Sequence, residues 1–240
     1  MRIRFHFRPI PFVAAVVLIA LGVSLAQWQT RRAEQKLRIE ARLIARGAMP
    51  AVALDGSLLD PASVEYRQIK ARGEFVRDWV IYLDNRPQNG RPGFYVVMPF
   101  RLAGSNRAVL VERGWIPLNR TDRNRMMPFP TPGGQIEISG VARVHASRVM
   151  QLGAAATLKP AAIVQNLEVS AVSQAVGLPL QPIIIEQVSV AGEVPDGLIR
   201  DWPKPSNGVD QHRGYAVQWY ALALMAFVFF IVTGFKREPV

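Results

Sequence analysis

Residues 10–27 read IPFVAAVVLIALGVSLAQ and residues 215–235 read YAVQWYALALMAFVFFIVTGF, and neither stretch contains a charged residue. Because an α-helix rises about 1.5 Å per residue, each stretch is long enough to span the roughly 30 Å of hydrocarbon in a bilayer. The two stretches predict one transmembrane helix near each end of the chain. The residues between them are sufficient for one domain with its own core.

Composition excludes several kinds of chemistry for the 240-residue chain, which has a formal net charge of +11 and no cysteine. Without cysteine there is no disulfide framework, thiolate metal site or cysteine nucleophile. The basic residues between the apolar stretches are dispersed, which is typical of a solvated surface rather than a groove for a polyanion. We therefore expect the lipid bilayer to surround part of the chain, and no nucleic-acid partner.

The flanking charges favour an orientation with both termini in the cytoplasm, since short basic flanks usually remain there. The flanks at the two chain ends carry Arg2, Arg4, Arg8, Lys236 and Arg237. Six basic residues beyond the first stretch oppose this orientation: Arg31, Arg32, Lys36, Arg38, Arg42 and Arg46. Long segments cross the membrane largely regardless of charge, so we expect the middle domain outside the cytoplasm.

A cleaved signal peptide is the alternative interpretation of the first stretch, because residues 24–26 (Ser-Leu-Ala) resemble a cleavage site. Trp28 favours a retained helix, since tryptophan anchors spanning helices at the membrane interface.

Residues 29–49 are mostly strong helix formers, so we expect the first helix to continue out of the bilayer until Gly47 and Pro50 end it. Short β-rich segments separated by turn residues follow and predict antiparallel strands. The predicted strands are Val64–Val76, Trp79–Leu83, Phe94–Leu102, Ala108–Glu112, Gln135–His145 and Pro182–Val190. One further helix is predicted over Glu168–Val176, ended by Gly177.

The predicted fold class is therefore two transmembrane α-helices flanking a mainly β, α+β extracytoplasmic domain. The segments are a cytoplasmic tail (1–9), the first membrane helix (10–28), its helical extension (29–49), a β-rich periplasmic domain (50–193), a linker (194–214), the second membrane helix (215–235) and a second cytoplasmic tail (236–240).

The three histidines, His6, His145 and His212, limit the catalytic possibilities. No nucleophile turn of the G-x-S-x-G type and no pair of histidines at metal-ligand spacing is present. A membrane-tethered enzyme would need a pocket around His145 with a carboxylate such as Glu137, and no motif supports one.

His212 has chemically distinctive neighbours. On a helix, His212, Tyr215 and Trp219 share one face at the mouth of the second span. An imidazole there can ligate an iron, with aromatic side chains against a haem macrocycle and Arg213, Arg31 or Arg32 neutralising its propionates. Aromatic and basic residues also gather at membrane interfaces for purely physical reasons, so this interpretation stays open.

Residues 113–117 (Arg-Gly-Trp-Ile-Pro) allow two interpretations. In one, Trp115 fills the core and Gly114 makes a bulge in the strand. In the other, Arg113 and Trp115 form an exposed platform for a partner.

Five motifs in order resemble the surfeit locus family of cytochrome c oxidase assembly factors, the Shy-type proteins of mitochondria and proteobacteria. They are Trp28-Gln29 with Arg32 and Lys36; Tyr66-Arg67 with Gly73 and Phe75; Arg86, Gly90, Gly93 and Pro99; Val109 to Pro117; and Tyr215-Ala216 with Gln218-Trp219-Tyr220. Departures from the family pattern are Glu112 and Gln211, where Asn is common, and Arg213, where an apolar residue is common.

This resemblance implies a protein of the bacterial inner membrane that helps to mature subunit I of haem-copper oxidase, together with other oxidase assembly factors, and is not an enzyme. It also implies haem a as cofactor, because the family's suggested ligand is a histidine three residues before the Tyr-Ala pair, the position of His212. The expected haem-binding residues are His212, Arg213, Tyr215 and Trp219, and the expected partner-binding residues are Trp28, Gln29, Arg32, Arg113, Gly114 and Trp115. The alternative is a membrane-anchored scaffold for oxidase subunits that does not bind haem.

Overall fold

The computed structural model describes residues 2–151, 153, 156–192, 194–203 and 208–238. It divides into two compact units, one formed by residues 1–41 and 203–240 and the other by residues 42–202. The strands are β1 (Arg2–Phe5), β2 (Val52–Leu54), β3 (Gln68–Phe75), β4 (Ile81–Leu83), β5 (Gly93–Leu102), β6 (Ala108–Pro117), β7 (Ile136–Arg143), β8 (Ala162–Val164), β9 (Leu180–Gln187) and β10 (Phe235–Glu238). The helices are α1 (Pro9–Gly47), α2 (Pro61–Val64), α3 (Val169–Val176) and α4 (Val209–Gly234).

The terminal unit is a pair of helices, α1 and α4, with a two-stranded sheet at one end. Strand β1 pairs antiparallel with β10, so the segments before α1 and after α4 lie side by side. Both helices are long and apolar enough to cross a bilayer, judged by length and composition. The predicted fold class, two apolar terminal helices with a central β-rich domain, is confirmed.

The second unit is built around a closed five-stranded barrel. The strands follow the order β3, β7, β9, β6, β5, and an additional pairing between β3 and β5 closes the ring. Side chains inside it include Met98, Phe100, Val111 and Ile185, all of them inaccessible to solvent. A closed sheet leaves no free edge among these five strands.

A second core lies on the outer face of the barrel. Alternation along β5 sends Val96 and Met98 to the inner core, while Tyr95 and Val97 face the outer one. Helix α3 contributes Val172 to this outer core and ends at Gly177, which adopts a left-handed conformation with φ 72°. The predicted helix is therefore confirmed, and Val172 packs it against the outer core.

Several predicted details of the domain are wrong. The strands are not all antiparallel, because β2 pairs parallel with β3, β8 with β4, and β9 with β6. Val64 belongs to α2 rather than to a strand, because Asp60 accepts a hydrogen bond from the Ala62 amide and Pro61 fixes the first turn of a short helix.

The boundaries near the second span also differ from the prediction. Helix α4 begins at Val209, so residues 209–214, which were assigned to the linker, are helical. His212 consequently lies in the first helical turn instead of in an irregular segment. In the described part of the remaining linker, Ile199 forms a β-bridge with Trp115.

Candidate functional site

Small side chains form the buried seam between α1 and α4. The seam consists of Ala15, Gly22, Ala26 and Ala33 on α1 and Val209, Ala216 and Ala223 on α4, while the buried Gly234 of α4 packs against the Phe5 ring. These residues recur mainly every seven positions, the spacing of a gently supercoiled helix pair. A Cβ atom on Gly22 would lie 3.0 Å from the Ala223 Cβ and 3.1 Å from the Trp219 carbonyl oxygen. The small seam thus lets the two backbones approach closely, as is common for helices in lipid.

A side-chain hydrogen bond joins α1 and α4 at the end of the seam that contains Ala33 and Val209. The Nδ1 atom of His212 lies 2.7 Å from the Oε1 atom of Gln29, and both side chains are half-buried. Gln218, one turn into the second span, is exposed.

This bond determines which imidazole nitrogen is available. An amide oxygen only accepts, so Nδ1 carries the proton and donates it to Gln29. In the neutral ring, the lone pair then belongs to Nε2. A carbonyl partner on the far nitrogen is the usual arrangement for a metal-ligating histidine, because it orients the ring and raises the basicity of the ligating nitrogen.

The predicted haem-binding residues fall on two opposite sides of the seam. His212, Tyr215 and Trp219 are spaced by three and four residues on one side of the buried Ala216, and we call this side the imidazole flank. Arg213 lies on the other side, where it lines a groove of about 440 Å³ with Thr30, Ala33, Glu34, Leu37, Ala216, Val217 and Tyr220. The expectation that Arg213 serves the same ligand as His212 is not supported by this placement.

Two other basic residues, Arg32 and Lys36, lie on the imidazole flank. Gln29, Arg32 and Lys36 follow one another at three- and four-residue spacing along α1, and so share a side of that helix. The Lys36 Nζ atom comes within 3.2 Å of the Cβ position of Gly208, directly before α4. The guanidinium of Arg32 is exposed and donates to Gln35 at 3.0 Å.

Trp28 and Gln29 have different surroundings despite being adjacent. The indole of Trp28 is 51% exposed, in keeping with an interfacial anchor or a contact for another protein. Gln29 is engaged with His212 and therefore acts within the helix pair.

The prediction that Arg113 and Trp115 form an exposed platform for a partner is wrong, because both side chains are buried in the domain. Trp115 lies in the outer core and donates from Nε1 to the Arg86 carbonyl oxygen at 2.6 Å. On strand β5, Val96 pairs with Gly114 of β6 and Val97 pairs with Glu112. Arg113, between these two partners, is therefore the extra residue of a β-bulge. The alternative interpretation, a core tryptophan beside a bulge at Gly114, is confirmed.

The bulge places the Arg113 guanidinium among aromatic and polar partners. It donates to Thr131 Oγ1 at 2.7 Å and to Asp196 Oδ2 at 3.1 Å. Its Cζ atom lies 4.6 Å from the ring centroid of Phe75. A buried charge of this kind is stable only because a carboxylate and hydrogen-bond acceptors surround it.

Sequence reasoning missed a second buried ionisable residue, Glu112, on the outer face of β6. Its side chain is 1% exposed, and its Oε1 atom has no hydrogen-bond partner among the described residues. Burial, reinforced by the neighbouring Glu186 carboxylate, raises the pKa of Glu112 to about 8. The sequence signals were its departure from the family pattern and its position directly after four apolar residues of a strand.

The residues of the enzyme hypothesis do not form an enclosed site. His145 is exposed, and Glu137 forms a surface ion pair with Lys70 at 3.8 Å. Within the described ranges, no group of three or more His, Asp or Glu side chains is placed to hold a metal ion.

Known proteins resemble the chain along most of its length. A family model described as the SURF1 family matches residues 16–224. The chain is 26% identical over 232 residues to a SURF1-like protein of Rickettsia felis, an alignment that covers 92% of this chain and 95% of that protein. It is 26% identical over 222 residues to Surfeit locus protein 1 of Xenopus tropicalis, covering 83% and 67%. A SURF1-like protein of Drosophila melanogaster is 29% identical over 153 residues, covering 55% of this chain and 49% of the relative.

Proposed function

Because the chain belongs to the SURF1 family, we propose that it is a membrane-anchored assembly factor for haem-copper cytochrome c oxidase. In this proposal it holds haem a at His212 and assists insertion of the haem into subunit I. The chain supplies a binding face and performs no chemical conversion. Both termini lie in the cytoplasm, and the barrel domain lies on the other side of the inner membrane.

The hydrogen bond between His212 and Gln29 is the observation that carries this proposal. It fixes the tautomer in which Nε2 has a lone pair, and it holds the ring at the rim of two apolar helices. His212 would hold a haem through its iron, and the haem would supply redox chemistry to the oxidase.

The imidazole flank meets the other requirements of an amphipathic macrocycle. Tyr215 and Trp219 offer apolar ring surface one and two turns further into the span. Arg32 and Lys36 lie towards the water on α1, where they suit the carboxylates of the propionates. A single half-exposed histidine suits a carrier, since one axial bond is more easily exchanged than two.

The orientation is supported by the ends of the helix pair. The two terminal strands, β1 and β10, pair with each other and bring Arg2, Arg4, Lys236 and Arg237 to the same end. A concentrated positive charge at one end of two spans favours the cytoplasmic side. Protease protection of spheroplasts would test this: digestion from the periplasmic side is expected to cleave the barrel domain, and protection of that domain would contradict the orientation.

Pigment measurements test the haem-binding role. The full chain, purified from cells that make haem a, is expected to show a haem absorption band that His212→Ala abolishes. Arg213→Ala is the matched control, because it removes a neighbouring polar side chain from the opposite flank, and it is expected to retain the pigment. Equal pigment in the wild-type protein and His212→Ala would exclude His212 as the ligand.

Complementation of a deletion strain tests the assembly role and separates it from the scaffold alternative. Loss of the gene is expected to lower the haem a content of the assembled oxidase. A carrier requires that His212→Ala fails to restore this content, whereas a scaffold without haem would restore it fully. An unchanged oxidase haem content in the deletion strain would contradict both roles.

A further inference from the structure

A second feature of the imidazole flank is an apolar groove deeper in the helix pair. The groove encloses about 390 Å³, a volume within the range of small-ligand sites. Its walls are lined by Pro11, Ala14, Ala15, Leu18, Leu222, Met225, Ala226, Phe229, Phe230 and Thr233. Only Thr233 among these carries a polar side chain, and its hydroxyl is bonded to the Phe229 carbonyl oxygen at 2.7 Å. The groove therefore offers hydrocarbon surface and no free donor or acceptor.

The groove follows the same side of the helix pair as the imidazole. On α4, residues 212, 215, 219, 222 and 226 continue one another at three- and four-residue steps. On α1, residues 29, 25, 21, 18 and 14 do the same in the opposite direction. The Arg213 groove lies on the other side and shares none of these positions.

The spacing along the helices suits a ligand with a bulky head and a long tail. Leu222 comes ten residues after His212 in α4, a distance of about 15 Å along the helix axis. The groove then extends over eleven residues from Leu222 to Thr233, about 16 Å more. A macrocycle at His212 covers the turns that carry Tyr215 and Trp219, and its substituent would enter the groove beyond them.

We infer that this groove binds the farnesyl tail of haem a while His212 holds its iron. The inference rests on the proposed haem-binding function and assigns it a second contact region. Haem a carries its farnesyl chain on one edge of the macrocycle and its two propionates towards the opposite edge. With the propionates near Arg32 and Lys36, the tail points along the flank into the span, so the charge pattern and the apolar groove specify one ligand orientation.

A membrane phospholipid is the competing occupant, because Arg8 lies next to the end of the groove that Pro11 and Thr233 form, where it would suit a headgroup phosphate. A phospholipid in that position uses only this end of the flank. It leaves Arg32, Lys36 and the turns that carry His212, Tyr215 and Trp219 uncovered. A haem with a tail fills both regions and the space between them.

Haem o and haem b form a matched pair of probes, because haem o carries the farnesyl tail and haem b has a vinyl group in its place. Absorption titrations of the full chain in one detergent at fixed concentration would measure both affinities. The wild-type protein is expected to bind haem o about tenfold more tightly than haem b, because the farnesyl chain makes close dispersion contacts with the groove walls that the vinyl group lacks. Ala226→Leu narrows the groove and is expected to abolish this preference while leaving haem b binding unchanged.

Two further variants control for damage to the helix pair. Ala221→Leu makes the same change on an exposed position of α4 outside the groove, and is expected to keep the preference. Ala14→Leu narrows the groove from α1 and is expected to act like Ala226→Leu even if that variant fails to fold.

The outcomes separate this inference from the function on which it rests. Binding of both haems through His212 with equal affinity would overturn the groove assignment and leave the haem carrier intact. If the two haems bind with equal affinity and a phospholipid co-purifies with the wild type but not with Ala226→Leu, the groove is assigned to lipid. Failure of either haem to bind would overturn the carrier itself, and the tail contact with it.

Discussion

The helix pair and the barrel domain bury different kinds of residue for the same purpose of holding two surfaces together. The barrel encloses large side chains such as Phe100, Met98 and Ile185, whose removal from water drives folding. The helix pair buries mostly alanine and glycine, because in lipid an apolar side chain gains little by leaving its surroundings and close contact is what remains. The two regions also treat polar side chains differently. The barrel domain buries the charged residues Glu112 and Arg113, whereas the helix pair leaves the His212 imidazole half-exposed.

The comparison suggests where substitutions are costly. In the barrel, a buried polar group is costly to leave without its partner, so single substitutions there are expected to act on stability. In the helix pair, single substitutions are expected to act mainly on haem binding.

Arg113→Ala is expected to have the largest effect on the stability of the domain. It removes the guanidinium from Asp196, Thr131 and the Phe75 ring, and leaves a largely buried carboxylate with one partner fewer. Breaking a buried pair in this way costs about 3–5 kcal/mol, a large part of a domain's stability. Thermal unfolding of the full chain in detergent would measure it, with the exposed Arg101→Ala expected to stay within about 0.5 kcal/mol of wild type. Equal losses from the two substitutions would contradict the structural role of Arg113.

Glu112→Gln is expected to stabilise the domain at neutral and alkaline pH. The pKa of Glu112 is about 8 in the folded chain, against an ordinary value of 4.5, so the folded state holds a proton that the unfolded state has released between these values. The contribution of Glu112 to stability is therefore fully present below pH 4.5, is lost progressively as the pH rises towards 8, and levels off beyond it.

Melting temperatures of the full chain between pH 5 and 8.5 would test this sign. The difference between Glu112→Gln and wild type is expected to be small at the acidic end and to widen up to about pH 8. Glu186, whose pKa is also raised by burial, interacts with Glu112, so the difference between the two proteins reports the titration of this carboxylate pair. Glu137→Gln, at the surface, is the control. A pH-independent difference for Glu112→Gln would show that its carboxyl is ionised throughout this range.

Gln29→Ala is expected to weaken haem binding about 10- to 100-fold without abolishing it, the usual effect of removing the partner of a ligating histidine. The ring loses its orienting acceptor, so the proton is no longer fixed at Nδ1. Titration with haem b would measure the loss, and Gln218→Ala, which removes the exposed glutamine of the second span, provides the control. Identical affinities for Gln29→Ala and wild type would contradict the role of this hydrogen bond.

A pair of cysteines at the seam tests the closest backbone approach, with the smallest expected effect on stability or binding. Because the chain contains no cysteine, Gly22→Cys with Ala223→Cys introduces a single possible disulfide. The Cβ positions are 3.0 Å apart, close to the range that a disulfide requires, so mild oxidation is expected to protect both thiols from alkylation. Ala20→Cys with Ala221→Cys, outside the seam, is expected to remain alkylated. Full alkylation of the seam pair would contradict the packing of α1 against α4.

The sequence predicted much of this architecture because its strongest signals are local. The two uncharged stretches, the helical continuation to Gly47 and the short helix ended by Gly177 depend on composition and periodicity within single segments. Parallel pairing of β6 with β9 could not be predicted, since it depends on how distant strands close the barrel. The strands β2 and β8 have three residues each and leave too short a pattern to identify.

Part of the candidate site was predicted because its signal is also local. Helical spacing was sufficient to place His212, Tyr215 and Trp219 on one side of α4. It was not sufficient to exclude Arg213, because the position of the seam depends on which face meets α1. The partnership of Gln29 with His212 joins residues 183 positions apart, and no local pattern reports it. Arg113 was misjudged because a charged side chain predicts exposure, whereas the alternation of Val109 and Val111 continues to Arg113 and directs it to Phe75 of the inner core. The bulge shifts only the residues after it, so Trp115 faces the outer core.

Chemical rescue of His212→Gly tests the central claim most directly, namely that Nε2 of His212 is an axial ligand to haem iron. The full-length variant would be titrated with haem a in detergent, with and without added imidazole, and its absorption spectrum compared with that of the wild-type complex. The account predicts that the variant alone lacks the wild-type spectrum and that imidazole restores it. A wild-type spectrum in the variant without imidazole would contradict the claim.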